Sequence, residues 1–428
     1  MTKKLKFQTP TGMHDILPED QIYFQKILSV CENIANFYSF QKIDVPIVEE
    51  AELFSRGIGL ATDIIGKQIY TLRTRGGDYL ALRPEFTAGI VRAYIENGLF
   101  NLPHPLKLFS YGPLFRYEHP QAGRFRQFHQ FDFEVFGEKK PVIDVQVIQI
   151  FYNILRELKL KNIIIEINSI GDNQCRPHYK KLLVSYFRAR ELSLCADCRR
   201  RLRENPLRIL DCKEEKCRRI ISGAPQIIDH LCQECHDHFK EVLEFLDEIG
   251  LPYHLNPYLV RGLDYYTKTV FEMVEESEDG QRLGSLGGGG RFDALVKLLG
   301  GRDTPACGVA GGIERIIALI KTKTIKLPPI PEPRIFLAQL GQLSKQKALK
   351  VFEQFRKAKI RVAESLSKDS LKAQLRIGDK IGVDYTLILG QKEALEGTII
   401  IRDMKTGGQE TVKIEKIVEE MKKRISSR

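Results

Sequence analysis

The sequence lacks a long apolar run. No stretch reaches the roughly 18 consecutive apolar residues that a membrane-spanning helix needs. The N-terminal segment MTKKLKFQTP carries the positive charges of a signal peptide, but no apolar segment follows it. We therefore expect a cytoplasmic protein that has no membrane partner.

Two glycine-based nucleotide-binding motifs are also absent. The pair Gly66 and Lys67 is followed by Gln68, so it does not form the phosphate-binding loop of P-loop NTPases. The glycine run at 287–290 does not supply the spacing G-x-G-x-x-G of dinucleotide-binding folds. A glycine cluster alone more often forms a tight turn than a phosphate cradle, and a tight turn leading into a helix is the expectation here.

The composition is that of an ordinary globular protein. The chain has 428 residues, of which 43% are hydrophobic and 28% are charged. These values exclude a disordered tail, a collagen-like fibre and a small disulfide scaffold. Because a single domain usually has about 100–150 residues, we expect more than one domain.

The positive charge is concentrated near the C-terminus. The net charge is +11, and residues 334–428 hold 21 Lys and Arg against 12 Asp and Glu, which leaves only +2 for the first 333 residues. A basic module attached to a nearly neutral body indicates docking of a polyanion. A lysine-rich surface that only keeps the protein in solution explains the charge equally well.

Apolar periodicity and turn residues divide the chain into segments. A body of strands and helices occupies 1–171 and resumes at 251–327. An Arg-rich helical insertion at 172–250 separates these two parts. The sequence PPIPEP at 328–333 predicts a linker, and beyond it strands and helices alternate in a small α/β domain at 334–428.

Six of the nine cysteines lie within residues 195–235 of the insertion, arranged as two C-x-x-C pairs and one C-x-x-x-x-C pair. They are Cys195, Cys198, Cys212, Cys217, Cys232 and Cys235. In a chain without a signal peptide, such pairs indicate a metal site rather than a disulfide framework. Reduced thiols packed between helices are the alternative.

Zinc is the metal that this pattern predicts. A closed structural zinc site takes four ligands, so two of the six cysteines are spare. The most local set along the chain is Cys195 and Cys198 with Cys212 and Cys217. Cys232 with Cys235 could replace either of these pairs. The other three cysteines (Cys31, Cys175 and Cys307) are expected to be inert thiols.

Two aromatic-rich runs, KLFSYGPLFRYE and RQFHQFDFEVFG, alternate as strands do, and a turn-like loop joins them. In such a hairpin Arg116 and Glu118 share a face, Phe128 offers a flat surface and Arg124 adds a second cation. Arginine binds phosphate bidentately, and an aromatic ring suits a nucleobase. The hairpin therefore predicts a nucleotide site, with a salt-bridged surface hairpin as the alternative.

These motifs together resemble those of the class II aminoacyl-tRNA synthetases. Pro46 fits the dimer-interface motif, 115–132 the second motif and 308–315 the third. The runs LVRGLDYY at 259–266 and LRPEFT at 82–87 are similar to the histidine-binding segments of histidyl-tRNA synthetase. The resemblance covers nearly the whole chain.

The resemblance implies a set of binding residues. Histidine would be bound by Glu85, Thr87, Arg116, Gln130, Glu134, Arg261, Tyr265 and Tyr266. ATP would be bound by Arg116, Glu118, Arg124, Phe128 and Arg315. Arg116 and Arg261 would act in catalysis, and Gln121 would contact the acceptor end of tRNA.

The resemblance also implies a fold and a reaction. The fold would be an α+β catalytic body with an antiparallel sheet, the helical insertion, and an anticodon-binding domain at the C-terminus. The reaction would join L-histidine to ATP as an adenylate, with Mg²⁺ bridging the phosphates, and then transfer the histidyl group to tRNA(His). The same resemblance implies a homodimer.

Two other functions remain open at this stage. One is a regulatory subunit of ATP phosphoribosyltransferase, a copy of the same catalytic body that senses histidine. It is disfavoured because such copies lose the C-terminal domain and the arginines. The other is a zinc-dependent nucleic-acid-binding protein without catalysis, which leaves the histidine-type pocket unexplained.

Overall fold

The structure is a computed structural model that describes residues 7–60, 62–119, 123–277, 282–327 and 332–426. Gln121 and most of the predicted linker, residues 328–331, lie outside the described residues. The chain divides into two compact units, Met1–Leu327 and Pro328–Arg428. Each unit has its own sheet and its own hydrophobic core.

The strands of the first unit are β1 (Gln41–Lys42), β2 (Val48–Glu50), β3 (Tyr70–Arg73), β4 (Tyr79–Leu82), β5 (Leu106–Phe115), β6 (Gln127–Phe136), β7 (Ile163–Ser169), β8 (Tyr253–Leu255), β9 (Thr267–Glu276), β10 (Arg282–Arg291) and β11 (Ala306–Gly312). Its helices are α1 (Pro18–Phe37), α2 (Ala51–Ile58), α3 (Thr87–Glu96), α4 (Pro141–Glu157), α5 (Cys175–Arg188), α6 (Ala196–Glu204), α7 (Glu215–Ile221), α8 (Gln233–Glu248), α9 (Leu295–Leu298) and α10 (Ile313–Thr322). Short 3₁₀ turns and one π-helical turn connect some of these elements.

In the described part of the first unit, eight strands form one sheet in the order β1-β5-β6-β11-β10-β9-β7-β8. The two outer pairs, β1 with β5 and β7 with β8, are parallel, and every pairing between them is antiparallel. A small sheet in the order β2-β4-β3 lies elsewhere in the unit, and Pro46 precedes its strand β2.

The central strand β6 shows how the sequence gives the sheet two different faces. Phe131, Phe133 and Val135 are buried in the large core that also contains apolar residues of α1 and α4. Asp132 and Glu134 alternate with them, and both line a cavity on the other side of the sheet. Since successive strand residues point to opposite faces, one strand supplies both the core and the site.

The glycine run does not form the predicted tight turn. Gly287, Gly288 and Gly289 lie inside strand β10, between β11 and β9. A Cβ at any of these positions would overlap the backbone of a neighbouring strand, at Ala310, Phe271 or Gly308. The run is therefore required for close strand packing, and the prediction of a turn is wrong.

The second unit is a small α/β structure. It consists of β12 (Ile335–Gln339), α11 (Gln342–Lys357), β13 (Val362–Glu364), α12 (Leu371–Ile381), β14 (Tyr385–Leu389), α13 (Gln391–Glu396), β15 (Thr398–Asp403), β16 (Gln409–Lys413) and α14 (Ile417–Ser426). The strand order is β13-β12-β14-β15-β16, with the first three strands parallel and the last two antiparallel.

The predicted fold class is confirmed: an α+β body with an antiparallel sheet, a helical cysteine-containing insertion and a separate C-terminal α/β unit. The insertion comprises α5 to α8 and leaves and rejoins the large sheet between β7 and β8. No helix in the described residues is long and apolar enough to cross a membrane.

Candidate active site

A cavity of about 1010 Å³ lies on the open face of the large sheet. All twelve residues that the resemblance assigns to histidine or ATP line this one cavity: Glu85, Thr87, Arg116, Glu118, Arg124, Phe128, Gln130, Glu134, Arg261, Tyr265, Tyr266 and Arg315. They come from strand β6, from the loop between β5 and β6, from the start of helix α3, from the loop that precedes β9 and from helix α10.

Glu85 and Thr87 are held at the start of α3. The Glu85 carboxylate accepts hydrogen bonds from the backbone N–H groups of Thr87 at 2.7 Å and Ala88 at 2.9 Å. The Thr87 hydroxyl donates to Glu134 Oε1 at 2.6 Å. Because the first N–H groups of a helix have no partner inside the helix, Glu85 satisfies them and is fixed in place.

Two buried carboxylates beside them have oxygens free to accept a hydrogen bond. Asp132 is 2% exposed and Glu134 is 1% exposed. Asp132 Oδ2 and Glu134 Oε2 have no hydrogen-bond partner within the described ranges. Burial raises the pKa of both groups well above the ordinary value, and nearby carboxylates raise it further. An orphaned buried carboxylate is costly unless a ligand pairs with it, so this end of the cavity suits a cation.

Two adjacent phenols lie next to these carboxylates. The rings of Tyr265 and Tyr266 are 4.7 Å apart. The Tyr265 hydroxyl donates to Glu85 Oε2 at 3.4 Å. Burial raises the pKa of Tyr266 to about 12, so its hydroxyl keeps its proton at neutral pH and can donate it.

Three arginines, Arg116, Arg124 and Arg315, make another part of the cavity cationic. The guanidinium of Arg116 lies 5.2 Å from the centre of the Phe128 ring. Arg315 donates to the carbonyl of Ser285 at 2.8 Å. Burial lowers the pKa of Arg315, and the neighbouring charges of Arg124 and Arg116 lower it further. Such crowding of cations is costly without an anion, so this region suits a polyphosphate.

Arg261 lies in the loop that leads into β9. Its guanidinium forms an ion pair with Glu272, while its Nε has no partner in the part of the chain that the structure describes. Burial acts to lower the pKa of Arg261, but Glu272 and the nearby tyrosines outweigh burial and raise it. Arg261 is therefore charged. A substrate anion that binds Arg261 must either displace Glu272 or bind beside it.

The insertion fixes the same loop from its outer side. Arg208 donates to the carbonyl of Gly262 and forms an ion pair with Asp264 at 3.3 Å. The Asn205 side chain donates to Asp264 at 3.0 Å. The position of Arg261 therefore depends on contacts between the insertion and the sheet.

Sequence reasoning assigned no individual role to several cavity residues. Glu272 is the partner of Arg261, and Gly308 lies opposite Glu134 in strand register. Glu314 accepts from the backbone N–H of His129 at 2.9 Å and from its ring Nδ1 at 2.8 Å. Asp132 could have been found from the sequence, because it shares one strand face with Gln130 and Glu134.

The cysteines form two separate groups. The sulfurs of Cys195, Cys198, Cys212 and Cys217 all lie within 4.8 Å of one another. The Sγ atoms of Cys195 and Cys212 are 3.9 Å apart, and these two residues line the cavity. This is the most local of the predicted sets.

Cys232 and Cys235 do not join that group. They lie with Cys175 and Asp172 in a second group, whose ligand atoms are also within 4.8 Å of one another. The prediction that they could replace either of the first pairs is therefore wrong, and Cys175, which was expected to be an inert thiol, belongs to this second group. The fold brings Cys175 and Cys232 together from the two ends of the insertion.

A largely antiparallel sheet that carries a cationic, nucleotide-sized pocket is the arrangement that the resemblance to class II aminoacyl-tRNA synthetases predicts. A family model described as histidyl-tRNA synthetase matches residues 12–316, and one described as an anticodon binding domain matches residues 335–424. The chain therefore belongs to the histidyl-tRNA synthetase family.

Individual relatives agree with this assignment. The histidine–tRNA ligase of Dehalococcoides mccartyi is 43% identical over 419 residues, which cover 98% of this chain and 100% of the relative. The crystal structure of apo S. aureus histidyl-tRNA synthetase has a TM-score of 0.79 and 33% identity, and the match covers 97% of this chain and 99% of that one.

A third similarity concerns the fold alone. A Bacillus halodurans C structure is described as an ATP phosphoribosyltransferase regulatory subunit/histidyl-tRNA synthetase. It has a TM-score of 0.63 and 20% identity, and the match covers 91% of this chain and 99% of that one. At that identity, the likeness does not distinguish a regulatory protein from an enzyme.

Proposed function

We propose that this chain activates L-histidine with ATP to form histidyl-adenylate and transfers the histidyl group to the 3′ end of tRNA(His). One observation carries the proposal: a single cavity brings together two buried carboxylates, each with one oxygen that has no partner among the described residues, and a crowded set of arginines. The carboxylates suit the ammonium and ring of histidine, and the arginines suit a triphosphate.

In the proposed binding mode, Glu85, Thr87 and Gln130 surround the ammonium of histidine. Glu134 and Tyr266 face the imidazole, whose two ring nitrogens a carboxylate and a phenol can both satisfy. An apolar amino acid of similar size would leave these buried polar groups unpaired. A site of this kind discriminates by a factor of about 10⁴–10⁵.

In the first step, a carboxylate oxygen of histidine attacks the α-phosphorus of ATP. A new P–O bond forms, the bond to the β-phosphate oxygen breaks, and pyrophosphate leaves. Arg116 and Arg261 neutralise the charge that builds up at this centre. The attacking carboxylate is already ionised at pH 7, so no general base is needed.

The remaining nucleotide contacts follow from the arginine end of the cavity. Arg315 holds the γ-phosphate, and Phe128 stacks on adenine. Glu118, which lies 3.5 Å from Arg124, keeps that arginine beside the site. Mg²⁺ bound to the phosphates would supply charge neutralisation, and Glu118 would lie nearby in a supporting role.

In the second step, a hydroxyl of the terminal adenosine of tRNA attacks the histidyl carbonyl and AMP leaves. The C-terminal unit, with its net charge of +9, anchors the polyanion. Gln121 is proposed to contact the acceptor end. We also propose a cytoplasmic homodimer.

The first cysteine group is proposed to hold a structural zinc ion through Cys195, Cys198, Cys212 and Cys217. Four sulfurs within 4.8 Å of one another can close around one tetrahedral ion, and metal binding would add folding free energy to the insertion. Zinc here would fix helix α6, whose Arg201 forms an ion pair with Asp63 at 2.6 Å beside the cavity.

Aminoacylation tests the proposal. Purified full-length protein, ATP, Mg²⁺ and a tRNA(His) transcript are incubated with each of the twenty labelled amino acids. We expect label to enter tRNA with histidine alone. Charging with another amino acid, or binding of histidine without any charging, would contradict the proposed function.

A further inference from the structure

The second ligand group lies apart from the cavity, where the insertion leaves and rejoins the large sheet. Asp172 follows strand β7, and Cys175 is the first residue of α5. Cys232 is the N-cap residue of α8, and Cys235 lies in its first turn. The group is thus two pairs of ligands, each with the spacing i and i+3 at the start of a helix.

The geometry fits one tetrahedral ion. One carboxylate oxygen and three sulfurs lie within 4.8 Å of one another. With a Zn–S distance of about 2.3 Å, two sulfurs on a tetrahedral ion are roughly 3.8 Å apart, so the three sulfurs need to close by about 1 Å or less. Cys175 and Cys235 are buried, whereas Asp172 and Cys232 are partly exposed and leave a route for the metal.

The backbone already holds these ligands in place. The N–H of Cys232 donates to Cys175 Sγ at 3.0 Å. Asp172 Oδ1 accepts from the N–H of Gln174 at 2.9 Å and from that of Cys175 at 3.3 Å. Gly171 has a φ of +61°, and a Cβ there would lie 2.8 Å from the Cβ of Cys175, so only glycine allows this approach. Such supporting contacts are typical of metal sites.

We propose that Asp172, Cys175, Cys232 and Cys235 form a second structural zinc site that fastens the two ends of the insertion to the sheet. Three thiolates and one carboxylate favour zinc over Mg²⁺ or Ca²⁺, and four protein ligands leave no open position for catalysis. This site is additional to the zinc proposed at the first cysteine group.

The neighbouring contacts show what the metal would stabilise. The carbonyl of Gly171 accepts from the N–H of Lys268 at 2.8 Å, at the start of β9. Arg176, next to a ligand, donates to the carbonyls of Tyr266 and, at 3.2 Å, Ile170. The ion would therefore hold residues 171–176, which contact Tyr266 and Lys268, and Tyr266 belongs to the proposed histidine pocket.

The number of zinc ions per chain distinguishes the two proposed sites. Full-length protein is produced in zinc-supplemented medium, purified without chelator and measured by elemental analysis. We expect two zinc ions per chain. The double variant Cys212→Ser, Cys217→Ser should keep one of them, and it isolates the second site. Loss of all zinc in this folded variant would overturn the proposal.

A matched pair of variants separates metal binding from helix capping. Asp172→Ser keeps a hydroxyl that can cap α5 but removes the anionic ligand, whereas Asp172→Cys replaces the oxygen cap with a ligand. In the background of the double variant, we expect Asp172→Cys to retain the zinc and Asp172→Ser to bind it at least tenfold more weakly. Equal zinc affinity in the two proteins would show that Asp172 only caps the helix.

The unmodified protein gives an independent readout if a variant does not fold. With ¹¹³Cd in place of zinc, NMR should show two resonances, one from four sulfurs and one from three sulfurs and an oxygen. A single four-sulfur resonance, with the thiols of Cys175, Cys232 and Cys235 still reactive, would overturn the second site and leave the first intact.

Discussion

Gly308 on strand β11 lies directly opposite Glu134 on strand β6, and a Cβ at position 308 would overlap the Glu134 carboxylate. The glycine thus makes the space in which a buried carboxylate can turn toward the cavity. The same pair of residues is needed for the close packing of the two strands and for the proposed binding of the imidazole.

Gly308→Ala should displace Glu134 and weaken histidine binding. Because the new methyl group occupies the position of Glu134 Oε2, we expect KM for histidine to rise by tenfold or more, about 1.4 kcal/mol, with KM for ATP nearly unchanged. Steady-state pyrophosphate exchange measures both constants. Gly66→Ala is the control, since a Cβ there meets nothing within 4 Å. An unchanged KM for histidine in the Gly308 variant would contradict the account.

Glu134→Gln keeps the shape of the side chain and removes its charge. We expect it to raise KM for histidine much more than KM for ATP, since the imidazole loses an anionic partner. Exchange kinetics with each substrate varied in turn are the measurement. The opposite pattern would place Glu134 in the nucleotide site.

The same variant should change how the stability of the free protein depends on pH. Burial raises the pKa of Glu134, so the folded state keeps the proton to higher pH than the unfolded state does. The stabilisation from this group is complete below the unfolded pKa of about 4.3 and is lost as the pH rises through the folded pKa. Above the folded pKa, Glu134→Gln should be more stable than the original protein. Its Tm should be higher by roughly 2–4 °C for each kcal/mol of difference in the free energy of unfolding. A difference in Tm that does not vary with pH would refute this.

Arg261→Ala should abolish adenylate formation without unfolding the protein. Arg261 is a partly buried, charged group beside the proposed reaction centre, and removal of one such donor typically costs about 10²–10³ in rate. Pyrophosphate exchange is measured beside Arg356→Ala, a control at an exposed arginine of the second unit. Exchange within about threefold of the original rate, under ~1 kcal/mol of barrier, would show that the role is wrong.

Deletion of residues 334–428 should spare pyrophosphate exchange and weaken tRNA charging. The deleted segment holds most of the net positive charge, and the first unit has its own core. Binding of tRNA to the full chain should also weaken as salt rises, because bound counterions are released from the phosphates. A truncated protein that charges tRNA at the full rate would exclude the C-terminal unit as the anchor.

Local patterns in the sequence were sufficient to predict much of this molecule. Alternation in the hairpin predicted β5 and β6, and short motifs located the residues that line the cavity. The errors concern contacts between distant segments. The glycine run forms strand β10 because two neighbouring strands approach it closely, and nothing in the run itself shows those neighbours.

The grouping of the cysteines also depends on contacts between distant segments. Spacing along the chain grouped Cys232 and Cys235 with the other pairs, whereas the fold places them against Cys175 and Asp172. The pairing of Arg261 with Glu272 likewise depends on the position of a loop over strand β9. Sequence spacing predicts which residues are neighbours within one element, but the topology decides which elements meet.

Histidine-dependent exchange of labelled pyrophosphate into ATP tests most directly whether this one cavity joins histidine to ATP. The assay contains full-length protein, ATP, Mg²⁺ and labelled pyrophosphate, with no tRNA, and each amino acid is added in turn. We predict rapid exchange with histidine, background exchange with the other nineteen amino acids, and loss of the histidine signal in Arg261→Ala. Histidine binding without exchange, as expected of a regulatory copy of this fold, would contradict the account.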